Sequence, residues 1–506
     1  MRLDRYRRAA LVSLLLLAAA GCKDDDDEST PRHFTFVDAG FAPAAECALA
    51  WGDYDADGDL DLALSGYDDS NTDFSRIYRN DGGAFTDIGA GLTAVRYAAV
   101  AWGDYDADGH LDLALAGQWW DGAAHFESKV YRNDVGTFVD TGVPLTGLAE
   151  ASLAWGDCDN DGDLDLALSG YYNDGTFHYV CEVNLNTGSA FSTASAGLQG
   201  FSTGEVAWGD FDNDGDLDLA AAGRNTAAVY RNDVGSFTDI TAGLTAVDRA
   251  ALAWGDYDGD GDLDLILAGQ SLTLPHRVTT LYRNDGGTFV DSGVAFEGVC
   301  DGALSWGDYD NDGDLDLAMA GEADAGNVTA VFRNDGGGFT DVEAPLPGVR
   351  FCSLSWGDYD NDGDVDLAIA GYDDGTAHVA GICRNDGGSF SNVAPAAPTD
   401  LTTSLVAGGV TFSWSAPAAA DATPPAGLSY NLRVGTSPGD DDVVGAHADT
   451  ATGLRRIAER GAIQPGVSST EWTVSLAAGT YYWSVQAIDT SLAGGAWAQE
   501  ETVVVP

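Results

Sequence analysis

The stretch from Trp306 to Ala318, WGDYDNDGDLDLA, decides the fold. Five aspartates within nine positions repel one another unless something positive sits among them, yet the chain spells out a version of this stretch seven times. The tripeptide WGD begins at Trp51, Trp102, Trp155, Trp208, Trp254, Trp306 and Trp356, in steps of 46 to 53 residues. A period of that length marks a chain built from repeated supersecondary units, and missing it would misread the whole fold. Each unit has a short apolar run such as AALAWGD, the acidic loop, LDLALAG, a variable stretch, VYRND, a glycine turn and FTD. Apolar runs of four to six residues broken by Asn, Asp and Gly are strands joined by tight turns. Each unit is therefore expected to be a four-stranded antiparallel meander, with strands here called A to D.

Four strands per unit, seven times over, predict a seven-bladed β-propeller. LDLALAG is apolar or small on both alternating sets, as a strand buried on both faces near a propeller axis should be. With the sandwich-like segment described below, the fold class is all-β: a seven-bladed β-propeller followed by a β-sandwich. The units resemble the FG-GAP/VCBS repeats of integrin-α-type propellers over residues 34–393. The third unit departs from the pattern, with Asn184-Leu185-Asn186-Thr187 in place of Tyr-Arg-Asn-Asp. Two segments compete to complete the last blade, FTFVD at 34–38 and SFSNV at 389–393. Closure by the N-terminal one is expected.

Counted from the aspartate of WGD, loop positions 1, 3, 5, 7 and 9 carry the chemistry. They are Asp53, Asp55, Asp57, Asp59 and Asp61 in the first unit, and Asp104, Asp106, Asp108, His110 and Asp112 in the second. The third has Asp157, Asp159, Asp161, Asp163 and Asp165; the fourth has Asp210, Asp212, Asp214, Asp216 and Asp218. The fifth has Asp256, Asp258, Asp260, Asp262 and Asp264, and the sixth Asp308, Asp310, Asp312, Asp314 and Asp316. The seventh has Asp358, Asp360, Asp362, Asp364 and Asp366. Alternating carboxylates around the glycine at position 6 offer the hard oxygen ligands Ca²⁺ prefers, with position 7 giving its backbone carbonyl. His110 at position 7 fits that role, since a carbonyl ligand is indifferent to the side chain. An EF-hand is excluded: its bidentate Glu at position 12 is Leu64 in the first unit, and strands flank the loop. About seven structural Ca²⁺ ions are expected.

In a meander the A-B and C-D turns share one face, so the variable B-C and D-A segments share the other. The resemblance to integrin-type propellers places ligand recognition on that second face. The B-C loops offer Tyr67, Trp119, Trp120, Tyr171, Tyr172 and Tyr372. The starts of strand A offer Glu46, Arg96, Tyr97, Glu150, Asp248, Arg249, Asp301, Arg350 and Phe351, expected around the channel mouth. Aromatics beside charges suit sugar rings or peptide side chains. An extracellular glycan or protein is thus the expected ligand, bound in adhesion by a monomer. The alternative is a carbohydrate-active enzyme, a polysaccharide lyase or hydrolase, using Glu46, Glu150 and Asp301. No G-x-S-x-G, H-E-x-x-H or phosphate-cradling loop is present, and the seven histidines read as scattered singly.

The net charge of −58 repels nucleic acid and anionic lipid headgroups, which excludes a phosphate-binding role. Residues 1–22 read as a signal peptide: Arg5, Arg7 and Arg8, an apolar run, then LAAAGC. The ending resembles the bacterial lipoprotein signal, which implies lipidation of Cys22 and makes that anchor the protein's only membrane attachment. The acidic tether at 23–33 opens with KDDDDE, similar to the export tag of surface-displayed lipoproteins in some Gram-negative bacteria. Export to the bacterial outer membrane, facing outward, is expected. The other six cysteines lack CxxC spacing and are expected as small buried residues. Residues 394–506 follow a Pro/Ala linker and resemble a fibronectin type III domain, with Trp414 in the core and Tyr482 as the tyrosine corner.

Overall fold

The computed structural model describes residues 34–506 apart from 162, 189, 195–196, 234, 313, 374–376, 386–394, 407–408, 418–427, 441–442, 445–447, 449–469, 475 and 490–493. The expectations for Cys22 and the tether, and for SFSNV at 389–393, lie outside the described residues. No helix occurs among the described residues, and the protein is all-β.

Each sequence repeat folds as an antiparallel meander. In the first repeat strands A to D are Ala45–Gly52, Asp61–Tyr67, Asp73–Asn80 and Phe85–Asp87. The second repeats the order with Arg96–Gly103, Asp112–Trp120, Ala124–Asn133 and Phe138–Asp140. The fourth and fifth repeats are joined into one eight-stranded sheet through a Thr226–Val247 pairing. In the seventh repeat the fourth strand is Phe34–Val37, which pairs antiparallel with His378–Asn385. The chain therefore closes on itself through its N-terminal strand.

What joins the repeats is the WGD tryptophan. Its ring lies between neighbouring sheets, and in every repeat but the sixth, where Trp306 Nε1 is buried without a partner, its indole N–H donates to a strand-A carbonyl of the preceding repeat. Trp102 donates to Ala50 O at 3.1 Å and Trp155 to Ala101 O at 3.3 Å. Trp51 donates to Ser355 O at 3.1 Å, carrying the same contact from the last repeat to the first. The glycine of WGD is required by this packing: a Cβ on Gly52 would stand 2.7 Å from the Trp102 ring. The cores are accordingly shared between repeats. Tyr54, Ala63 and Ile77 of the first pack with Trp102, Leu113 and Phe138 of the second. These small, repeated antiparallel sheets in a closed sequence are the arrangement of a β-propeller.

The described residues between 399 and 505 form two three-stranded sheets around one core, in which Phe412 meets Trp483 at 4.8 Å and Trp414 meets Tyr430 at 5.4 Å. The buried Trp414 is where the sequence expects it. The corner tyrosine is not: Tyr481, rather than Tyr482, is buried and donates its hydroxyl to Ala477 O at 3.1 Å. Successive strand residues point to opposite faces, so this one-residue correction moves the role from the half-exposed to the buried side.

Candidate metal loops and the opposite rim

The acidic loop is wound by its own carboxylates. In the first repeat the Asp53 carboxylate accepts from Asp57 N at 3.1 Å and Gly58 N at 3.0 Å, and Asp57 accepts from Asp59 N at 2.9 Å. Gly58 has φ of +95°, a conformation that glycine adopts without strain. The same bonds recur around the structure, for example Asp256 with Asp260 N and Gly261 N, and Asp358 with Asp362 N and Gly363 N. Position 9 is fully buried and anchors the loop to the sheet. Asp61 accepts from Tyr54 N at 3.1 Å and from Asn80 N at 2.8 Å.

Sequence reasoning missed the partner of that last bond. The asparagine ending strand C (Asn80, Asn133, Asn186, Asn232, Asn284, Asn334, Asn385) is buried in every repeat. Its amide reaches the position-2 carbonyl of the preceding loop: Asn133 Nδ2 donates to Tyr54 O at 2.8 Å and Asn284 Nδ2 to Phe211 O at 2.8 Å. In the third repeat, where the Tyr, Arg and Asp of the motif are replaced, Asn186 still donates to Tyr105 O at 2.8 Å. The signal was present in the sequence: this is the one residue of the motif common to all seven units. The neighbouring arginines do less, pairing on the surface with the next aspartate, as Arg132 does with Asp134 at 2.8 Å.

Within each loop several carboxylates converge. One oxygen from each of Asp53, Asp55 and Asp57 lies within 4.8 Å of the others, as do those of Asp104, Asp106 and Asp108, and of Asp256, Asp258 and Asp260. In the third and fourth repeats the converging sets are Asp157, Asp159 and Asp165, and Asp210, Asp212 and Asp218. Burial, with mutual repulsion added, holds these groups far above the ordinary carboxylate range: Asp53 and Asp104 are pushed up to about 6, Asp256 and Asp358 to about 7. Asp61, Asp112 and Asp264 reach about 8 for the same reasons. At position 3, Oδ1 of Asp159, Asp212, Asp258 and Asp360 is buried without a hydrogen-bond partner. Buried acceptors left without a donor are rare and unfavourable. An all-oxygen set of this kind, electron-rich and short of donors, fits a hard divalent cation. The position-7 side chains serve elsewhere: Asp59 Oδ2 accepts from Gly82 N and Asp262 Oδ2 from Gly286 N, tying the A-B loop to the C-D turn. Among the position-7 residues, the His110 imidazole is half-buried, and its backbone N–H donates to Asp108 at 3.0 Å.

The other rim carries the candidate ligand residues, and they sit on strands rather than loops. Trp119 and Trp120 end strand B of the second repeat, Tyr171 and Tyr172 lie in Asp165–Asn173, Tyr67 ends Asp61–Tyr67 and Tyr372 lies in Asp366–Asp373. The hairpins stay paired almost to their tips, because aromatic cross-strand pairs favour continued pairing. Two histidines read as scattered in fact occupy one position: His125 and His178 pair across from Trp119 and Tyr172, while His378, one register step away, pairs with Tyr372. His125 stacks on Trp119 at 3.9 Å and His178 on Tyr172 at 4.6 Å. One face of each of these rings is therefore covered, while Trp120 is 66% exposed.

At the start of strand A, Glu46, Tyr97, Glu150, Thr203, Arg249, Asp301 and Phe351 all have φ between +45° and +52°. In six of the seven repeats a break in the A-B pairing register accompanies this residue. Such bulges re-aim side chains, and strained non-glycine residues concentrate at functional sites. Arg249 pairs with Asp301 at 2.5 Å, and Thr203 donates to Asp248 at 2.5 Å. Arg96 pairs with Asp73 and lies over the Tyr67 ring, while Arg350 pairs with Glu322 and faces Tyr372. Burial pushes Glu46 up to about 7, partly opposed by a hydrogen bond with Tyr97.

The profile of the FG-GAP-like repeat matches residues 34–115, 210–267 and 308–369. These spans thus carry FG-GAP-like repeats, in an all-β fold of propeller type. The third repeat, with its altered strand C, lies outside the matched spans. No curated protein matches the chain.

Proposed function

We propose that this is a seven-bladed, calcium-stabilised propeller that displays its opposite rim for binding an extracellular glycan or protein at a bacterial surface. The observation that carries the reading is the recurrence of converging carboxylates in loop after loop, with buried position-3 oxygens lacking a donor. Each loop would hold one Ca²⁺ through positions 1, 3, 5 and 9 and the position-7 carbonyl. The ion would supply charge neutralisation to the loop. The residues themselves wind the loop, bury position 9 and link each loop to its neighbours.

With one face committed to cations, recognition falls to the rim of Trp120, Tyr67, Tyr171, Tyr97, Arg96, Arg249 and Arg350. Arginines there stand against the strongly acidic remainder of the surface, and the exposed Trp120 with its half-buried tyrosine neighbours adds flat apolar area. Both suit a ligand with sugar rings or acidic side chains. The C-terminal segment, resembling a fibronectin type III domain, serves as a spacer, and lipidated Cys22 as the tether.

Glu46 supports a second reading, since a half-buried carboxyl held near 7 and hydrogen-bonded with Tyr97 is suited to proton transfer. Screening glycans and matrix proteins while monitoring turnover separates the two. Saturable binding without product formation, weakened by Trp120→Ala, is expected. Substrate cleavage abolished by Glu46→Gln would replace the binding reading by the enzyme.

A further inference from the structure

All seven residues at loop position 4 share one left-handed backbone conformation, but not one side chain. Ala56, Ala107, Asn160, Asn213, Asn311 and Asn361 have φ of +55° to +58°, and Gly259 has +70°. Where the residue is asparagine, its amide crosses to the next loop. Asn160 Nδ2 donates to Gly215 O at 3.2 Å and Asp216 Oδ1 at 2.9 Å. Asn213 donates to Gly261 O at 3.3 Å and Asp262 Oδ1 at 2.9 Å, and Asn311 to Gly363 O at 3.1 Å and Asp364 Oδ1 at 2.8 Å. Asn361 donates to Gly58 O at 3.1 Å and Asp59 Oδ1 at 2.7 Å, across the closure of the ring.

Asparagine is one of the few residues with a side chain that tolerates this backbone conformation. That explains its presence in four loops, but not why each amide grips the same two atoms of the loop ahead. Those atoms belong to positions 6 and 7, and so flank the position-7 residue whose carbonyl is to face the ion. Ala56, Ala107 and Gly259 have no amide to give, so the links from the first, second and fifth repeats are missing. The strand-C asparagines cannot make up the difference, because they join every neighbouring pair alike.

We infer that the position-4 asparagines are positioning residues that couple neighbouring cation loops into two runs, repeats 3-4-5 and repeats 6-7-1, with repeat 2 outside both. The inference rests on the calcium reading above. A cation held by positions 3 and 5 of one loop fixes the asparagine between them. That asparagine then fixes positions 6 and 7 of the next loop, whose ordering is thereby already paid when its own cation arrives. Such shared ordering gives positive cooperativity. Coupling of the usual size changes affinity about fivefold or more.

Two substitutions test it with the backbone conformation preserved. Asn311→Gly removes the amide and keeps a residue at ease with positive φ. Gly259→Asn adds an amide where a new Cβ meets nothing within 4 Å, aimed at the sixth loop and its Asp314. Amide hydrogen exchange of the full chain, resolved by loop and titrated with Ca²⁺, reads each loop's midpoint separately. In the unaltered protein loops 6, 7 and 1 should share a midpoint, as should loops 3, 4 and 5. Asn311→Gly should separate loop 6 from loops 7 and 1 by fivefold or so, and Gly259→Asn should draw loops 5 and 6 together. Calcium-dependent protection whose midpoints neither variant moves would overturn the coupling and leave the calcium reading standing. No calcium-dependent protection in any loop would overturn both.

Discussion

Two adjacent residues of one motif should differ sharply in what they contribute, and the second repeat shows why. Asn133 is fully buried; its amide donates to Tyr54 O at 2.8 Å and Leu111 O at 3.1 Å, and its Oδ1 accepts from Gly136 N at 2.6 Å. Asn133→Ala removes all three bonds and leaves two buried carbonyls and a part-buried N–H without partners. At roughly 1–3 kcal/mol for each buried group left unsatisfied, with entry of water relieving part, the loss should be about 3–5 kcal/mol. Arg132, next in the chain, makes only an exposed ion pair with Asp134. Arg132→Ala should therefore cost less than about 1 kcal/mol. Urea unfolding of both variants in saturating Ca²⁺, followed by tryptophan fluorescence, gives the comparison. Equal and small losses would refute the reasoning, because the buried amide would then not be what holds one repeat to the loop before it.

Three further outcomes are expected. In chelator the melting temperature should fall as pH rises from 5 to 9. Position-9 carboxyls such as Asp61 and Asp112 sit at about 8 in the fold, above the unfolded value of about 4, so their contribution is full below about pH 4 and declines steadily until it is gone above about pH 8; a flat or rising profile contradicts this. Trp120→Ala should weaken ligand binding by roughly thirtyfold, the equivalent of a 2 kcal/mol anchor, while leaving the melting temperature unchanged because the ring is exposed. A fall in melting temperature with unaltered affinity would return Trp120 to a structural role. Cys22→Ala should release the protein from membranes and abolish labelling by a fatty-acid probe; an unlabelled, soluble parent protein would remove the anchor from the account.

The repeated architecture was legible because the same residues do the same work seven times. Trp and Gly of WGD pack one sheet on the next, and the loop aspartates wind the turn, so neither varies. The strand-C asparagine was equally legible in principle, since Asn186 persists where its motif neighbours change, but its partner lies about 80 residues earlier in another repeat. His125 and His178 follow their WGD tryptophans by the same 23 residues, so their shared position was legible, whereas the aromatic ring each one faces became plain only with the cross-strand register. The left-handed residues at the strand-A starts have no common chemistry at all: Glu, Tyr, Thr, Arg, Asp and Phe share a backbone conformation set by packing, not by propensity. Tyr481 and Tyr482 are adjacent, and in a strand of period two one residue's difference puts the expected corner tyrosine on the wrong face.

The central claim is that the acidic loops are cation sites on which the fold depends, and thermal unfolding with parallel metal analysis tests it most directly. Extracellular calcium modules bind at about 10⁻⁴ to 10⁻³ M, so millimolar Ca²⁺ should stabilise the folded chain measurably. The account predicts close to seven Ca²⁺ per chain, a melting temperature lowered by excess EDTA, and recovery with Ca²⁺ more than with Mg²⁺. A melting curve that EDTA leaves unmoved, in a protein with no bound metal, would contradict it.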